Sequence, residues 1–350
     1  MPYRTLRPLS ALGLGLAITA AATSAEAQDA LDLSKDAEVE EAPEGVLEDK
    51  EDGVDWRINA GATLNLSDNR SVVGQTEGST LGFGFKFESG LDWRKEAHEL
   101  RNSLGIAAGV TRTPAVPEFV KTQDNLEVES IYLYHILDWF GAYGRVAWQT
   151  PMFRGTDVRG EPVDYQINNL DGTSTTVAGA SRLTLTDALH PSRFKQSLGL
   201  FAQPVAKEPI NVETRVGAAG RETLAHGQLA LADDDGTPQI EVNTLDDVFQ
   251  LGGEGTLEVW GSFSNKKVNY KAGAEVMIPF LNNADDGRSA LELTNVLLYG
   301  SLGFKLVDWA SLDYQLRAVR EPQLLDAWQV QNQLLLTLGI AAGSASPEEE

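Results

Sequence analysis

The stretch KVNYKAGAEVMIPF, Lys267 to Phe280, limits the possible folds more than any other part of the chain. Val268, Tyr270, Ala272, Ala274, Val276, Ile278 and Phe280 fall on one side of an extended backbone. Lys267, Asn269, Lys271, Gly273, Glu275 and Met277 fall on the other. Successive side chains of a strand point to opposite faces, so the pattern predicts a strand with one greasy face and one charged face. The question it poses is whether the greasy face meets a protein core or lipid.

The alternation recurs. Trp56, Ile58, Ala60, Ala62, Leu64 and Leu66 oppose Arg57, Asn59, Thr63 and Asn65. Leu81, Phe83, Phe85, Phe87, Leu91 and Trp93 oppose Lys86, Glu88, Asp92 and Arg94. Leu126, Val128, Tyr132, Tyr134 and Ile136 oppose Glu127, Glu129 and His135. Similar runs cover 210–218 and 328–340, and helical periodicity is hard to find. Repeated period-two patterning predicts an all-β chain.

Connections sort by length. KEA (95–97), DWF (138–140), DALHPSR (187–193), GR (220–221), NK (265–266) and DWA (308–310) read as tight turns. Between them lie 68–79, 113–124, 154–175, 204–208, 233–248, 281–289 and 321–326, mostly longer and rich in Gly, Pro, Asn and Asp. Short links on one side and long ones on the other predict a transmembrane, antiparallel, up-and-down β-barrel. Counting from both ends gives about fourteen strands, with 222–232 the weakest, so about twelve is the fallback.

A soluble sheet with one wet face shows the same alternation, its apolar face turned to a core. Two features favour the barrel. Runs such as Lys267–Phe280 are long enough to cross a bilayer when tilted. Of the seven tryptophans, Trp56, Trp93, Trp139, Trp309 and Trp328 fall near strand ends, where an aromatic girdle belongs.

Bulk properties set the compartment. Arg4 and Arg7, the apolar run Leu9 to Ala22 and the small-x-small site Ala25-Glu26-Ala27 form a secretory signal, cleaved between Ala27 and Gln28. Beyond it no run of eighteen apolar residues exists, so no transmembrane helix is expected. The chain has no cysteine, which excludes disulfide staples and thiol chemistry. It carries 28 basic and 51 acidic residues, a net charge of −23 that disfavours nucleic-acid binding. Residues 28–54 are crowded with acids and read as a disordered periplasmic segment, and 343–350 as an acidic tail. The barrel is then expected over 55–342, in the outer membrane of a Gram-negative bacterium. Its expected partners are outer-membrane lipid and the barrel assembly machinery.

At VKTQDNLEVESIYLYHILDWFGAYGRVAWQTPMFRG (120–155) the chain resembles a family of outer-membrane β-barrel proteins of unknown function. The likeness rests on Lys121, Thr122 and Asp124, then strand, tight turn, strand, and Gln149 with Thr150. SLGLFAQP (197–204) and WQVQNQLLLTLGIAAG (328–343) look similar too. The resemblance implies a barrel in the outer membrane and supplies no activity. The last strand ends on Leu338 and Ile340, without the closing aromatic residue that such barrels often carry.

Catalytic signatures are missing. His98, His135, His190 and His226 form no HExxH or metal-spaced pair, and no P-loop, GxSxG or GxGxxG stands in a usable context. His135 and His226 fall on polar faces, where a membrane-embedded hydrolase would keep a base. DDDG (233–236) and NNADDG (282–287) fail the EF-hand register, leaving loop turns with a weak divalent-cation site as a second reading. No cofactor is expected.

The polar faces say more. Arg57, Lys86, Arg101, Arg145, Arg215, Lys267, Lys271 and Arg317 mix with Glu88, Glu99, Glu127, Glu129, Glu213, Glu258, Glu275 and Asp313. A basic side chain on the lipid face at mid-bilayer costs about 2–4 kcal/mol, so all are expected to line the lumen. Balanced charges either line a wet channel or interlock and close it, and a barrel of this size is compatible with both. A porin-like passive pore or small-solute transporter is the first expectation. A closed barrel serving as scaffold or binding platform is the second, and a membrane-embedded hydrolase the third.

Overall fold

The alternating segments pair into one closed ring. The computed structural model describes residues 52–69, 78–207, 209–232, 237–283, 287–307, 309–323 and 325–343. In chain order the first strands are β1 (Gly53–Asn69), β2 (Gly78–Lys95), β3 (His98–Arg112), β4 (Val120–Leu137) and β5 (Phe140–Thr150). Next come β6 (Gly155–Asn168), β7 (Ser174–Thr186), β8 (Ser192–Lys207), β9 (Ile210–Leu224), β10 (Leu229–Leu231) and β11 (Ile240–Thr244). The last five are β12 (Val248–Phe263), β13 (Val268–Asn282), β14 (Asn295–Val307), β15 (Ala310–Glu321) and β16 (Leu325–Gly343).

Twelve of these close a barrel in the order β1-β16-β15-β14-β13-β12-β9-β8-β5-β4-β3-β2. Every neighbouring pair is antiparallel, and closure comes from β1 against β16, with Ala60 opposite Ile340. A closed ring leaves no unpaired edge, which is what a strand needs in a medium without water. The number of strands is therefore the lower of the two counts read from the sequence.

The two surplus strands have one common cause. β6, β7, β10 and β11 form a separate four-stranded sheet, in the order β10-β11-β6-β7. Residues 154–175, read as a loop, hold β6, so the alternating segment 176–186 pairs with it rather than joining the barrel. The tight turn expected at Gly220-Arg221 does not form. β9 runs through it, pairing Gly220 with both Gln196 and Leu251. The chain turns only at 225–228, where His226 (φ 49°) and Gly227 (φ 73°) take left-handed conformations.

Both chain ends of the barrel lie at the same end as the links that follow β2, β4, β8, β12 and β14. This is the terminal end. Residues 204–207, expected among the long loops, belong to β8 here, and 187–191 fall in a long connection at the opposite, loop end. The accessory sheet grows from the loop end: β6 and β7 from the β5–β8 connection, β10 and β11 from the β9–β12 connection. Parallel pairing of β6 with β11 stitches those two connections together.

Burial inverts that of a water-soluble protein. On β13, Val276, Ile278 and Phe280 are exposed while Met277 is buried. Leu198 is 68% and Phe280 73% exposed, whereas Glu213 is 2% and Arg215 4%. Such a surface is stable against hydrocarbon and not against water. Trp56, Trp93, Trp139 and Trp309 all emerge near the terminal end, joined by the stacked pair Phe263 and Tyr270 (ring centroids 5.0 Å). Trp260 instead points inward and is buried.

Candidate functional site

The lumen gathers almost every charged side chain that the sequence assigned to it. Its register follows from parity: odd-numbered residues of β3, β4, β5, β8, β9, β13, β14 and β15 point inward, and even-numbered ones of β2 and β12. At the terminal half, Arg57 reaches Asp92 at 3.1 Å and Lys86 pairs with Glu88. Glu99 accepts from Arg94 at 2.9 Å, from Arg101 at 2.7 Å and from His135 at 2.9 Å. Arg101 continues to Glu213 at 3.0 Å. Arg215 lies 3.5 Å from Glu213 and 2.8 Å from Glu258, whose carboxylate also accepts from the Tyr299 hydroxyl at 2.7 Å.

Higher in the lumen, Arg145 donates to Glu129 at 2.6 Å and to Glu275 at 3.2 Å. Lys195 joins Glu254 at 2.8 Å and also contacts Glu275. Arg193 is 3.8 Å from Glu321, which also pairs with Arg221.

Four of these contacts cross the barrel instead of running along its wall. Arg101 to Glu213 joins β3 to β9, and Arg145 to Glu275 joins β5 to β13, each with three strands between. Arg193 to Glu321 joins β8 to β15, with four strands between, and Arg221 to Glu321 joins β9 to β15, with three. An apolar cluster of Ile131, Leu133, Tyr143 and Phe201 fills part of the terminal half, with the His135 ring edge-on to Phe201 at 5.1 Å. Side chains thus occupy the lumen at more than one height. The tight fit extends to glycine: a Cβ on Gly273 would stand 2.2 Å from the Tyr299 ring. At the loop end remains a cavity of about 40 Å³, bounded by Arg145, Arg193, Lys195, Arg221, Arg317, Glu275 and Glu321 among others.

Most of the expected lumen residues keep their assignment. Glu127 is buried on β4, Lys271 lies over the Tyr299 ring at 5.8 Å, and Asp313 accepts from Ser311 (2.7 Å) and Thr337 (2.9 Å). Lys267 is the exception. It sits exposed in the turn 264–267, outside the lumen, because β13 begins one residue later than its alternation suggests. Arg193, Lys195, Arg221, Glu254, Glu321 and Tyr299 complete the lumen and were missed. Arg221 and Glu321 fell in segments read as turn and loop; Lys195 shares the parity of Arg193 at the start of β8 and was legible there.

The motif behind the family resemblance has a structural explanation. The Asp124 carboxylate accepts the backbone N–H groups of Met152 (2.8 Å) and Phe153 (2.9 Å) and the Lys121 ammonium (2.6 Å). Lys121 also donates to the Phe153 carbonyl at 2.9 Å. These bonds clasp β4 to the link leaving β5. A similar clasp holds the other rim connection, where Asp247 accepts from the N–H groups of Ala225 (2.7 Å) and His226 (2.9 Å). Those N–H bonds, chiefly that of His226, hold the Asp247 carboxyl below its ordinary pKa.

The accessory sheet has its own conventional core: Tyr165, Leu185, Leu231 and Val242. The Tyr165 hydroxyl donates to Asp157 at 2.7 Å. Burial, then the bond to Asp157 and its charge, push that hydroxyl above the usual tyrosine range. Among the described residues, no group of three His, Cys, Asp or Glu is placed to hold a metal ion. The DDDG loop and residues 284–286 of NNADDG lie outside the described residues, as do the signal segment with Ala27 and Gln28, residues 28–51 of the acidic segment, and 344–350 of the tail.

No family model matches the chain, and no curated protein sequence does. Solved structures do. The translocator domain of the autotransporter NalP from Neisseria meningitidis is 11% identical, covering 84% of this chain and 90% of that one, with a TM-score of 0.35. An outer-membrane channel from Pseudomonas putida F1 is 9% identical, covering 85% and 100%, with a TM-score of 0.38. The β-domain of the Bordetella autotransporter BrkA is 12% identical, covering 83% and 98%, with a TM-score of 0.30. At these TM-scores the likeness carries no functional argument, and the barrel stands on its own strand register.

Proposed function

We propose that this chain is an outer-membrane β-barrel whose lumen is held shut by interlocked ion pairs. It acts as a non-enzymatic scaffold or binding platform that presents its loop-end rim and accessory sheet. The carrying observation is the set of cross-lumen contacts from Arg101 to Glu213, Arg145 to Glu275 and Arg193 to Glu321. An open pore lined with these charges would leave them wet, whereas the side chains of Glu213 and Arg145 are only 2% and 8% exposed. Outer-membrane lipid and the barrel assembly machinery are its expected partners, in keeping with the family resemblance.

A second reading, a passive pore for small solutes, is favoured by the charged, wettable wall and the cavity at the loop end. Planar-bilayer recording separates the two. The closed reading expects silent membranes from the wild type, and stepwise conductance in the wild type overturns it. Location is tested separately, by membrane fractionation and heat-modifiable migration on gels. A heat-insensitive protein in the periplasmic extract would remove both readings. The hydrolase reading finds little support, because His135 is committed to Glu99 and His226 lies in a rim turn beside Asp247.

A further inference from the structure

The cavity at the loop end of the lumen is walled unevenly in charge. Arg145, Arg193, Lys195, Arg221 and Arg317 border it, and only two carboxylates, Glu275 and Glu321, do so. Each of those carboxylates is shared between two cations: Glu275 between Arg145 and Lys195, Glu321 between Arg193 and Arg221. The other acidic partners, Glu129 of Arg145 and Glu254 of Lys195, do not line the cavity. The five cations arrive from β5, β8, β9 and β15, so they converge from different sides of the barrel. Gln149 and Asn295 add neutral polar groups, and Leu297 and Val319 an apolar patch.

Four guanidinium forks and an ammonium around so small a space match the planar or tetrahedral oxygens of an oxyanion, which arginine binds in bidentate fashion. We propose that this cavity is a binding site for a small oxyanion, the carboxylate or phosphate group of a free solute. The volume of about 40 Å³ admits a group of that size and excludes a bulky one. The proposal holds whether or not the lumen conducts, because it concerns a chamber at one end and not a path through the barrel.

The test is calorimetric titration of the detergent-purified full barrel with inorganic phosphate, and in a parallel arm with acetate. Folding of each variant is checked by heat-modifiable migration. Wild type is expected to bind at least one of the two anions saturably. Arg317→Gln should weaken that binding about tenfold or more, while Arg317→Lys, which keeps the charge but loses the fork, weakens it by less. Glu321→Gln, which removes a competing carboxylate, should tighten it several-fold. A structural role alone predicts that both neutralising changes weaken binding alike, so that result overturns the proposal. So does a wild type that binds neither anion up to about 10 mM. The wild-type titration decides the matter even if a variant fails to fold. Bilayer recording reads the lumen separately, so failure of the site and failure of the closed-barrel reading cannot be confused.

Discussion

The barrel and the accessory sheet are built from the same two-residue alternation and use it in opposite senses. In the barrel, apolar side chains such as Leu198 and Phe280 face outward and carboxylates such as Glu213 face inward. In the accessory sheet, Tyr165 and Val242 are fully buried against each other's strands, and polar residues cover the outside. The pattern fixes which residues share a face; only the neighbouring medium fixes which face is inside. Mirror-image substitutions in the two regions test this directly.

The largest effect is expected in the lumen. Glu213→Leu leaves Arg101 and Arg215 without a shared carboxylate in a nearly dry interior. Breaking one side of a buried ion pair costs about 3–5 kcal/mol. The mirror change, Val242→Glu, places an unpaired charge in an apolar core and should melt the accessory sheet while the barrel stays heat-modifiable. Thermal denaturation followed on gels and limited proteolysis of the rim read the two outcomes. If Glu213→Leu were neutral, the ion-pair web would not hold the lumen, and the closed reading would lose its main support.

Next in size is a charge on the outer surface. Leu198→Arg, near the middle of β8, should cost about 2–4 kcal/mol if that surface meets hydrocarbon. Leu170→Arg, on an equally apolar but rim-exposed residue, should cost almost nothing. Equal effects at the two positions would mean that the barrel exterior is not in lipid.

These contrasts also explain what could be read from the chain beforehand. Register was legible because a one-residue slip would move Glu275 to the lipid side and Val276 to the lumen, a change no other feature could offset. Hence Arg57, Glu129, Arg145 and Glu258 lie where alternation put them. The fate of β7 was not legible: an apolar alternation destined for another sheet looks like one destined for lipid, and its partner β6 was hidden in a loop reading. Arg221 was lost because Gly220 suggested a turn, although that glycine lies inside a continuous ladder. The cross-lumen partners were beyond sequence reading altogether. Arg145 and Glu275 meet across the lumen from strands with three others between, a contact that strand parity does not specify.

A smaller effect sharpens the contrast from the side of the accessory sheet. Tyr165→Phe removes one of two side-chain donors to the fully buried Asp157, leaving Arg159, and should cost about 1 kcal/mol, locally. Hydrogen exchange should quicken in β6 and β11 and leave the barrel ladders unchanged. The same bond gives an alkaline signature. A hydroxyl whose folded pKa is raised contributes stability that is present below the unfolded value of about 10 and is lost as pH rises through the folded one. Ultraviolet titration should therefore show a late-ionising component that is smaller by one tyrosine in Tyr165→Phe.

The smallest effect is expected at the rim, at acid pH. The Asp247 carboxyl is held below its ordinary pKa by the N–H groups of His226 and Ala225. A lowered folded pKa means that its contribution is complete above the unfolded value, about 3.9, and is lost as pH falls through the folded one. Because Asp247 is substantially exposed, solvent screens the interaction and the change in stability is small. What should change is local: below about pH 4, protease cleavage at 225–228 should rise while the barrel remains heat-modifiable. Asp247→Asn should show that cleavage already at neutral pH and little further change on acidification. If the variant and wild type lost rim protection at the same pH, the clasp would lie elsewhere.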